Sequence, residues 1–470
     1  MLDRSLAPAR TTAHSGLLPA LLVVTLLTAM DQTIVATALP AIVGDVGGRA
    51  SVGWVFAGYT LAMTVAMPLF GRLGDLRGRR TIYLSSIAAF VLASGACGVA
   101  SDMHMLIALR ILQGVAGGGV LVMSQAVVAD AVPARERARF MAPVGLVFAV
   151  SSVISPLLGG TLTDTVGWRW IFWVNLPLGT LAWVLSYRAV PRARSAGRGG
   201  GLDVPGFVLY AVAITGLVVL ATGQVADAGW LSARFLGWVG VTAVCGAGFA
   251  VRMLTHADPL IPIGVLRNRT VAVASCLGFV NGAAVFGLVG YLPTVVQSVL
   301  GLRPTMSGAI LLALVLGMMV STVTTGRWTS RTGHYRRLPL IGCLLGAGAM
   351  SWLATLDQSW GIGRAAAAIA LLGLGAGFFM QVITIAAQDA APPEHVGSST
   401  STVSLVRELG VTIGAASLGA AFAAHGTAND LGAGVETAVP AVFTALMLVL
   451  LGGAAVSLAL PDRRLSAHVG

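Results

Sequence analysis

Long apolar runs, each bounded by short polar segments, follow one another along the whole chain. A helix that crosses a bilayer needs about twenty predominantly apolar residues. Fourteen runs of that length lie near 17–40, 52–71, 81–100, 104–128, 138–162, 169–187, 204–222, 234–253, 270–296, 304–325, 338–356, 363–387, 397–424 and 438–460. Helices satisfy their backbone hydrogen bonds within one segment, whereas a membrane barrel has shorter, alternating segments. The pattern therefore predicts an all-α polytopic membrane protein with fourteen transmembrane helices.

The composition agrees with lipid as the main solvent. Charged residues make up 10% of the 470 residues and hydrophobic residues 56%, whereas a soluble domain carries about 25% charged residues. The net charge of +11 has a topological explanation, because cytoplasmic loops of membrane proteins collect basic residues. With a cytoplasmic amino terminus, 22 of the 29 arginines fall in cytoplasmic segments. We expect a multi-pass protein of the bacterial inner membrane, with both termini cytoplasmic and no nucleic-acid partner.

Two short segments occur twice along the chain. The loop GRLGDLRGRR (Gly71–Arg80) has a counterpart in GRWTSRTGHYR (Gly326–Arg336). Residues 129–133 (ADAVP) have a counterpart in residues 388–392 (QDAAP), in the same order and at nearly the same separation. Transporters are often built from internal repeats, so these pairs predict two homologous halves.

The runs between the repeats define the expected domains. The first half takes six helices within 1–190, and the second takes six within 270–470. The seventh and eighth runs lie within 191–269, after the arginine- and glycine-rich segment RARSAGRGGG. We expect this stretch to be a linker with two inserted transmembrane helices.

The first loop carries a family signature. It matches the Gly-x-Leu-x-Asp-x-x-Gly-Arg-Arg pattern of the major facilitator superfamily. Together with the two extra helices, the segments MDQTIVATALP (Met30–Pro40) and GWRWIFWVNLPLG (Gly167–Gly179) resemble the fourteen-span drug/proton antiporter branch. The resemblance implies the major facilitator fold and proton-coupled export of amphipathic small molecules, such as antibiotics, drugs and dyes, by alternating access. A dedicated exporter of an endogenous metabolite or natural product is the alternative, and a membrane-embedded enzyme or a channel is a remote one.

Two charged residues lie inside apolar runs of the first half and are candidates for proton coupling. Asp31 lies about fourteen residues into the first run, where an ionisable group is costly and is by default functional. Arg110 in the fourth run lies at a similar depth and could stabilise the Asp31 carboxylate. The second-half counterpart of Arg110 is Ile369, so coupling is expected in the first half. The alternatives are a permanently protonated Asp31 that only packs, and a static structural pair. The resemblance also places the proton-linked acid at Asp31.

The repeated loop is expected to act as a gate. The resemblance implies that it stabilises the outward-open state through a set of glycines and charged residues: Gly71, Gly74, Asp75, Gly78, Arg79 and Arg80. Ser330 replaces the acid in the second copy, and His334 replaces the first arginine. The charge network is therefore expected on one side only.

The fifth run contains SSVISPLLGG, where the family has an exporter motif of the form Gly-x-x-x-Gly-Pro-x-x-Gly-Gly. The corresponding residues are Ser151, Ser155, Pro156, Gly159 and Gly160. Small residues four apart permit close packing of helices, and a proline bends a helix. The exporter motif is therefore retained in a weakened form.

Arg407 and Glu408 form a second charged position, in the thirteenth run. Adjacent residues point to different faces of a helix, so we expect them to be poor partners for each other. Glu408 is a further candidate for proton coupling, and pairing with a neighbouring helix is an equal alternative. Asp203 is expected to cap the first inserted helix.

The remaining expectations concern the cargo. Weak candidates for the cavity wall are Tyr59, Met63, Phe148, Asn281, Tyr291 and Gln381, although such residues more often pack than bind. The sequence contains no catalytic triad pattern, no phosphate loop and no cluster of metal ligands. We expect no enzyme activity, no cofactor and no metal. The expected partners are the small-molecule substrate, protons and the lipid bilayer, and the chain is expected to be a monomer.

Overall fold

The structure is a computed structural model that describes residues 7–47, 53–191, 201–221, 232–256, 258–261, 263–289, 291–302, 304–425 and 431–466. Within these ranges the regular secondary structure is helical, apart from one isolated bridge between His334 and Arg464. Among the described helices, nine are long and apolar enough to cross a bilayer. Three shorter apolar helices of 10–17 residues accompany them.

The first part of the chain forms nine helices. They are α1 Ala7–Val46, α2 Gly53–Arg77, α3 Arg79–Cys97, α4 Met103–Ala131, α5 Ala134–Thr165, α6 Trp170–Trp173, α7 Asn175–Ala189, α8 Val204–Ala221 and α9 Ala233–Thr255. The sixth apolar run is thus divided between α6 and α7. Asn175 is the first residue of α7, so its side chain lies next to the joint between these two helices.

The second part of the chain is helical in the same way. Its elements are α10 Ile263–Arg267, α11 Arg269–Asn281, a π-helical turn Gly282–Phe286, α12 Gly287–Val289, α13 Leu292–Leu300, α14 Pro304–Thr332, α15 Arg337–Leu353, α16 Ile362–Ala390, a 3-10 turn Pro393–His395, α17 Val396–His425 and α18 Leu431–Ser457. The ninth apolar run is therefore interrupted by the π turn, a feature that locally widens a helix.

The same close helix packing occurs twice. A Cβ atom at Gly114 of α4 would overlap the carbonyl oxygen of Tyr59 in α2, and a Cβ atom at Gly373 of α16 would overlap that of Leu314 in α14. These positions correspond through the offsets that relate the repeated segments. The turns after α2 and α14 also correspond, with positive φ at Gly78 (91°) and Gly333 (71°). The repeated sequence segments thus coincide with repeated helix packing and repeated turns.

Both halves meet at one end of the bundle, which we call the basic end and define by the loops Gly71–Arg80 and Gly326–Arg336. There α2 packs against α17, and α5 packs against α14. Arg135 at the start of α5 donates to the carbonyl oxygen of Arg331 at 2.5 Å. The basic end is therefore closed by direct contacts between α2 and α5 on one side and α14 and α17 on the other.

Helices α8 and α9 pack against each other, and α8 also packs against α2 and α17. Tyr210 of α8 donates to the carbonyl oxygen of Thr64 in α2 at 3.4 Å and shares a buried apolar cluster with Leu405 of α17. Asp203 caps α8 by accepting from the Gly206 N–H at 2.9 Å, as its sequence position predicts, and it also accepts from Arg252 of α9 at 2.5 Å. Helix α9 has no buried residue along Ala233–Thr255, so its apolar surface is left for lipid.

Candidate functional site

A closed polar cluster surrounds Asp31 in the interior of the first half, and we call it the Asp31 cluster. Its side chains come from five helices: Asp31 of α1, Ser94 of α3, Arg110 and Gln113 of α4, and Asn175 of α7, with Tyr59 of α2 stacked beside them. Asp31, Arg110 and Gln113 are each 0% exposed, and Asn175 is 1% exposed. The structure thus brings together the two charged residues that the sequence singled out.

The carboxylate of Asp31 accepts a hydrogen bond from each of three side chains. Arg110 Nη1 donates to Oδ2 at 2.8 Å, Gln113 Nε2 to Oδ1 at 2.8 Å, and Asn175 Nδ2 to Oδ1 at 3.0 Å. Hydrogen bonds to an ionised group are roughly twice as strong as neutral ones. All three partners of the Asp31 carboxylate thus act as hydrogen-bond donors.

The guanidinium of Arg110 is also held by groups from its own helix, α4, and from α2. Its Nη1 also donates to Gln113 Oε1 at 2.7 Å, and its Nε donates to the carbonyl oxygen of Val55 at 3.3 Å. Its Cζ lies 4.1 Å from the centre of the Tyr59 ring, within the range of a cation–π interaction. Because one charge of each sign is buried, removal of either one leaves the other uncompensated, which costs about 3–5 kcal/mol.

Three members of the cluster were not found from the sequence: Ser94, Gln113 and Asn175. Gln113 lies one helical turn after Arg110, so the i, i+3 spacing placed it on the same face of α4. Asn175 lies in the quoted segment GWRWIFWVNLPLG, yet its residue type gave no reason to join it to Asp31, which is 144 positions away. A search for every amide inside an apolar run would have found both amides.

The counterpart of the cluster in the second half is apolar. The repeat offsets relate Tyr59, Ser94, Arg110 and Gln113 to four residues of one buried hydrophobic cluster, namely Leu314, Ala349, Ile369 and Leu372. These four side chains are at most 4% exposed. The two halves therefore share helix packing but not chemistry, which agrees with the expectation from Ile369.

The gating loop links the two halves through one carboxylate. The Asp75 side chain is 2% exposed and accepts from the backbone N–H of Gly397 at 2.9 Å and of Ser398 at 2.8 Å. It also accepts from the Ser398 hydroxyl at 2.8 Å. Asp75 therefore supplies the N-terminal cap of α17, where a negative charge interacts favourably with the helix dipole.

Arg79 and the glycines complete this contact. Arg79 donates to Asp75 at 3.1 Å, to the carbonyl oxygen of Pro393 at 2.8 Å, and to Asp130. A Cβ atom at Gly71 would lie 2.7 Å from Ser401 Cβ, so a side chain there would separate α2 from α17. Gly74 is similarly pressed against Met123 within the first half.

Arg80 of the first loop and Ser330 of the second copy make hydrogen bonds close to their own loops. Arg80 donates to the Tyr187 carbonyl oxygen at 2.6 Å and remains within the first half. In the second copy, the Ser330 hydroxyl bonds to its own helix at Arg327, 3.1 Å away. Sequence reasoning missed a set of buried hydroxyl side chains at the start of α17: Ser398, Ser399, Thr400, Ser401, Thr402 and Ser404.

The exporter motif lies in α5, which packs against α1 and α14. Ser151 is 1% exposed and Ser155 is 0% exposed, and their hydroxyls donate to the carbonyl oxygens of Val147 and Ser151. Gly159 is buried and Gly160 half-buried. Helix α5 continues through Pro156, whose side chain lies outside the described part. The two serine hydroxyls thus bond to carbonyl oxygens of their own helix, so α5 presents small side chains for packing.

The expectation that Arg407 and Glu408 are poor partners is wrong. Arg407 Nη2 lies 2.8 Å from Glu408 Oε1, and the two side chains are 12% and 20% exposed. Both side chains are long enough to reach around the helix surface and meet, although their Cβ atoms point apart. Arg407 also packs against the Gly278 face of α11.

The six cavity candidates do not share one environment. Tyr59 is 0% exposed beside Arg110, Met63 is 6% exposed, and Asn281 is 0% exposed. These three side chains pack inside their own halves. Phe148 is 45% exposed, and Tyr291 and Gln381 are half-buried. Only the latter three have the accessibility that a cavity wall requires.

The bundle buries a charged pair in its interior, and an arginine-rich loop after α2 contacts the start of α17. This architecture is that of a polytopic membrane transporter. The chain belongs to the Major Facilitator Superfamily, whose sequence model matches residues 21–415. It is similar to the multidrug transporter protein MdtP of Bacillus subtilis, with 31% identity over 409 residues, covering 87% of this chain and 75% of that protein. It is also similar to multidrug resistance protein 3 of the same organism, with 31% identity, covering 83% and 76%.

Further comparisons agree on the family and the fold. The uncharacterized transporter Rv1877 of Mycobacterium tuberculosis is 34% identical, and the match covers 84% of this chain but 58% of that protein. The solved structure of the human organic anion transporter MFSD10 superposes with a TM-score of 0.67 at 15% identity, covering 94% of this chain and 99% of that one. The proton:xylose symporter XylE superposes with a TM-score of 0.68 at 13% identity, covering 97% of both. The chain is a multi-pass membrane transporter and not an enzyme.

Proposed function

We propose that this protein is a proton-coupled exporter of amphipathic small molecules, belonging to the fourteen-span drug/proton antiporter branch. The observation that carries the proposal is the fully buried pair of Asp31 and Arg110, with 2.8 Å between Asp31 Oδ2 and Arg110 Nη1. An ionisable carboxylate inside a membrane bundle is costly and is retained where a proton must bind. Only a carboxylate that changes its charge gives such a pair two states.

The coupling follows from the contacts of Asp31. A proton that arrives from the end opposite the basic end neutralises Asp31 and removes its attraction for Arg110. The first half then loses its main internal charge pair, which favours the inward-facing state. Release of the proton to the cytoplasm restores the pair. Each positive charge that moves inward contributes about 2.3 kcal/mol per 100 mV.

The gate supports the same cycle. The basic end is closed by Asp75 at the start of α17 and by Arg79 on Pro393, and we propose that these contacts hold the outward-open state. They must break when the halves rock, since α2 and α17 belong to different halves. Glu408 is proposed as an auxiliary site for protons or cations because its side chain remains 20% exposed.

The topology completes the proposal. We place the basic end and both termini in the cytoplasm, because arginines concentrate on that side. Six helices within 1–190 and six within 270–470 form the two halves, the pair within 191–269 is an insertion, and the working unit is a monomer in the bacterial inner membrane. Two similar proteins named for multidrug transport and resistance support antibiotics, drugs and dyes as cargo.

The test is the accumulation of lipophilic cations and neutral antibiotics in sensitive bacteria that express the native chain, Asp31→Asn or Asp45→Asn. Asp45 is the matched control because it lies on the same helix and its side chain is 48% exposed. We expect the native chain and Asp45→Asn to lower accumulation, and Asp31→Asn or a protonophore to abolish this effect. Transport by Asp31→Asn at the native rate would overturn proton coupling through Asp31. A native chain that moves none of the compounds would favour the dedicated metabolite exporter.

A further inference from the structure

Asn175 has one polar atom that the Asp31 cluster leaves unused. Its Nδ2 donates both hydrogens, one to Asp31 Oδ1 and one to Ser94 Oγ, each at 3.0 Å. Its Oδ1 is buried and has no hydrogen-bond partner among the described residues. A buried, unpaired carbonyl oxygen is costly and calls for an explanation.

The protonation state of Asp31 decides whether the Asn175 Oδ1 atom has a donor to accept from. Within the described part of the chain, each side chain that hydrogen-bonds to Asp31 acts as a donor: Arg110, Gln113 and Asn175. Three donors suit an ionised carboxylate. A protonated carboxyl group has an O–H hydrogen that requires an acceptor, and none of the three partners presents one in its present orientation.

Gln113 is a poor source of that acceptor. Its Oε1 already accepts from Arg110 at 2.7 Å and lies 3.7 Å from the Cys97 sulfur. A half turn of the Gln113 amide would place its NH2 group against the Arg110 guanidinium, so that two donors would face each other. Gln113 therefore keeps its orientation in both protonation states.

Asn175 can turn without bringing two donors together, although the turn moves its NH2 group to the buried position where Oδ1 has no partner among the described residues. A half turn of its amide moves the unused Oδ1 to the position of Nδ2, 3.0 Å from Asp31 Oδ1 and from Ser94 Oγ. The Ser94 hydroxyl, which now donates to the Phe172 carbonyl oxygen at 3.0 Å, can rotate and donate to Asn175 instead. The Phe172 carbonyl keeps the N–H of Val174 as a donor.

We propose that Asn175 is a positioning residue that senses the protonation of Asp31 by turning its side-chain amide. The Asn175 Nδ2 group donates to the ionised carboxylate, and after the half turn Asn175 Oδ1 accepts a hydrogen bond from the O–H of the protonated carboxyl group. The proton comes from a hydronium ion at the end opposite the basic end: one O–H bond of hydronium breaks to leave water, and one O–H bond forms on Asp31. This inference rests on the proposed proton coupling. Because Asn175 is the first residue of α7, its turn transmits the charge change to the joint between α6 and α7.

The other titratable groups near the cluster cannot replace Asn175. Arg110 faces Asp31 from α4, Tyr59 lies against Arg110 from α2, and Cys97 of α3 contacts Gln113. Arg110 has only donors, and the other two face Arg110 or Gln113 and make no hydrogen bond to Asp31. After the half turn, the carbonyl oxygen of Asn175 is thus the acceptor within hydrogen-bond distance of a protonated Asp31.

Infrared difference spectroscopy tests the proposal in the native chain. The sequence contains only four asparagines, Asn175, Asn268, Asn281 and Asn429, so a carbon-13 label on the asparagine side-chain carbonyl gives few bands. Acid-minus-neutral spectra should show a carboxyl band from Asp31 together with a shifted labelled amide band. Both should vanish in Asp31→Gln, which adds no labelled asparagine, and Asn175→Thr should remove the labelled band only.

The outcomes distinguish the amide switch of Asn175 from the proton coupling at Asp31. A carboxyl band that appears without any change in the labelled amide would overturn the amide switch and leave proton coupling intact. The absence of an Asp31 carboxyl band across the titration would overturn the proposed proton coupling itself.

A matched pair of variants provides a second measurement. Threonine and valine have the same shape, but only the threonine hydroxyl can both donate and accept. We expect Asn175→Thr to keep proton-driven transport and Asn175→Val to lower its rate about tenfold, with substrate affinity unchanged in both. Equal rates in the two variants, or a loss of substrate affinity in place of rate, would contradict the switch.

Discussion

Asp75 and Ser398, which are 323 positions apart, make two hydrogen bonds of 2.8 Å, from the backbone N–H and from the hydroxyl of Ser398 to Oδ2 of Asp75. One carboxylate of the gating loop thus caps the helix of the other half. Because an N-terminal cap and the helix dipole each contribute about 1 kcal/mol, the loss of this charge should shift the balance of states appreciably.

We predict that Asp75→Asn opens the basic end more often. The reporter is Ser401→Cys in a background without the four native cysteines, because Ser401 is 1% exposed in the closed gate. Its labelling by a hydrophilic thiol reagent should become roughly tenfold faster in Asp75→Asn, as expected for a shift of about 1.4 kcal/mol. Asp389→Asn is the control, since Asp389 binds Ser466 at the same end. Equal labelling with and without the Asp75 change would contradict the gating role.

The Asp31 pair leads to a prediction about stability. Asp31→Asn and Arg110→Gln should each lower the thermal unfolding temperature of the purified protein, because each leaves one buried charge uncompensated at a cost of about 3–5 kcal/mol. The double variant should recover most of this stability but not transport. Unfolding can be followed by tryptophan fluorescence. A double variant that is less stable than either single variant would show that the pair is not the main interaction of these residues.

Close helix packing predicts which glycines tolerate a methyl group. Gly114→Ala and Gly373→Ala should each destabilise the protein by about 1–3 kcal/mol, because the new methyl group would meet a carbonyl oxygen of the facing helix. Gly348→Ala is the control, because nothing lies within 4 Å of a Cβ atom there. It should be neutral or slightly stabilising. Similar unfolding temperatures for all three variants would refute the repeated packing.

The inserted pair should loosen in acid. Burial raises the pKa of Asp203, but the hydrogen bonds from Arg252 and Gly206 outweigh it, so the pKa lies below its usual value. The stabilisation is therefore present above about pH 4 and is lost as the pH falls through the lowered pKa. Hydrogen exchange at the start of α8, corrected for intrinsic rates, should accelerate in that range. Asp203→Asn should remove this pH dependence, because asparagine can still cap the helix but carries no charge. Asp164→Asn, at an exposed position near the end of α5, should match the native chain.

Glu408 should matter less than Asp31. Its partner is the adjacent Arg407 and its side chain is 20% exposed, so water compensates when the pair is lost. We expect Glu408→Gln to reduce proton-driven transport by less than about tenfold, with a larger effect on cationic than on neutral substrates, in the same accumulation assay. Complete loss of transport of neutral compounds would make Glu408 a primary proton site.

Much of this architecture could be read from the chain alone, because lipid imposes a simple rule on it. A run of about twenty apolar residues must be helical to satisfy its backbone, and the described helices follow the apolar runs closely. Exceptions occur where the backbone is interrupted locally, at the joint before Asn175 and at the π turn Gly282–Phe286. Those interruptions depend on neighbouring helices, which no local pattern reveals.

The sequence by itself determined the helices and the family resemblance and singled out Asp31, since hydrophobic length and the cost of a buried charge are local properties. The tertiary structure alone decided which side chains meet that charge. Gln113 and Asn175 reach Asp31 from 82 and 144 positions away, because small residues let distant helices approach closely enough for short amides to converge. The tertiary structure also decided the contact between Arg407 and Glu408. Their side chains are long and have room beside α17, so they meet although their Cβ atoms point apart.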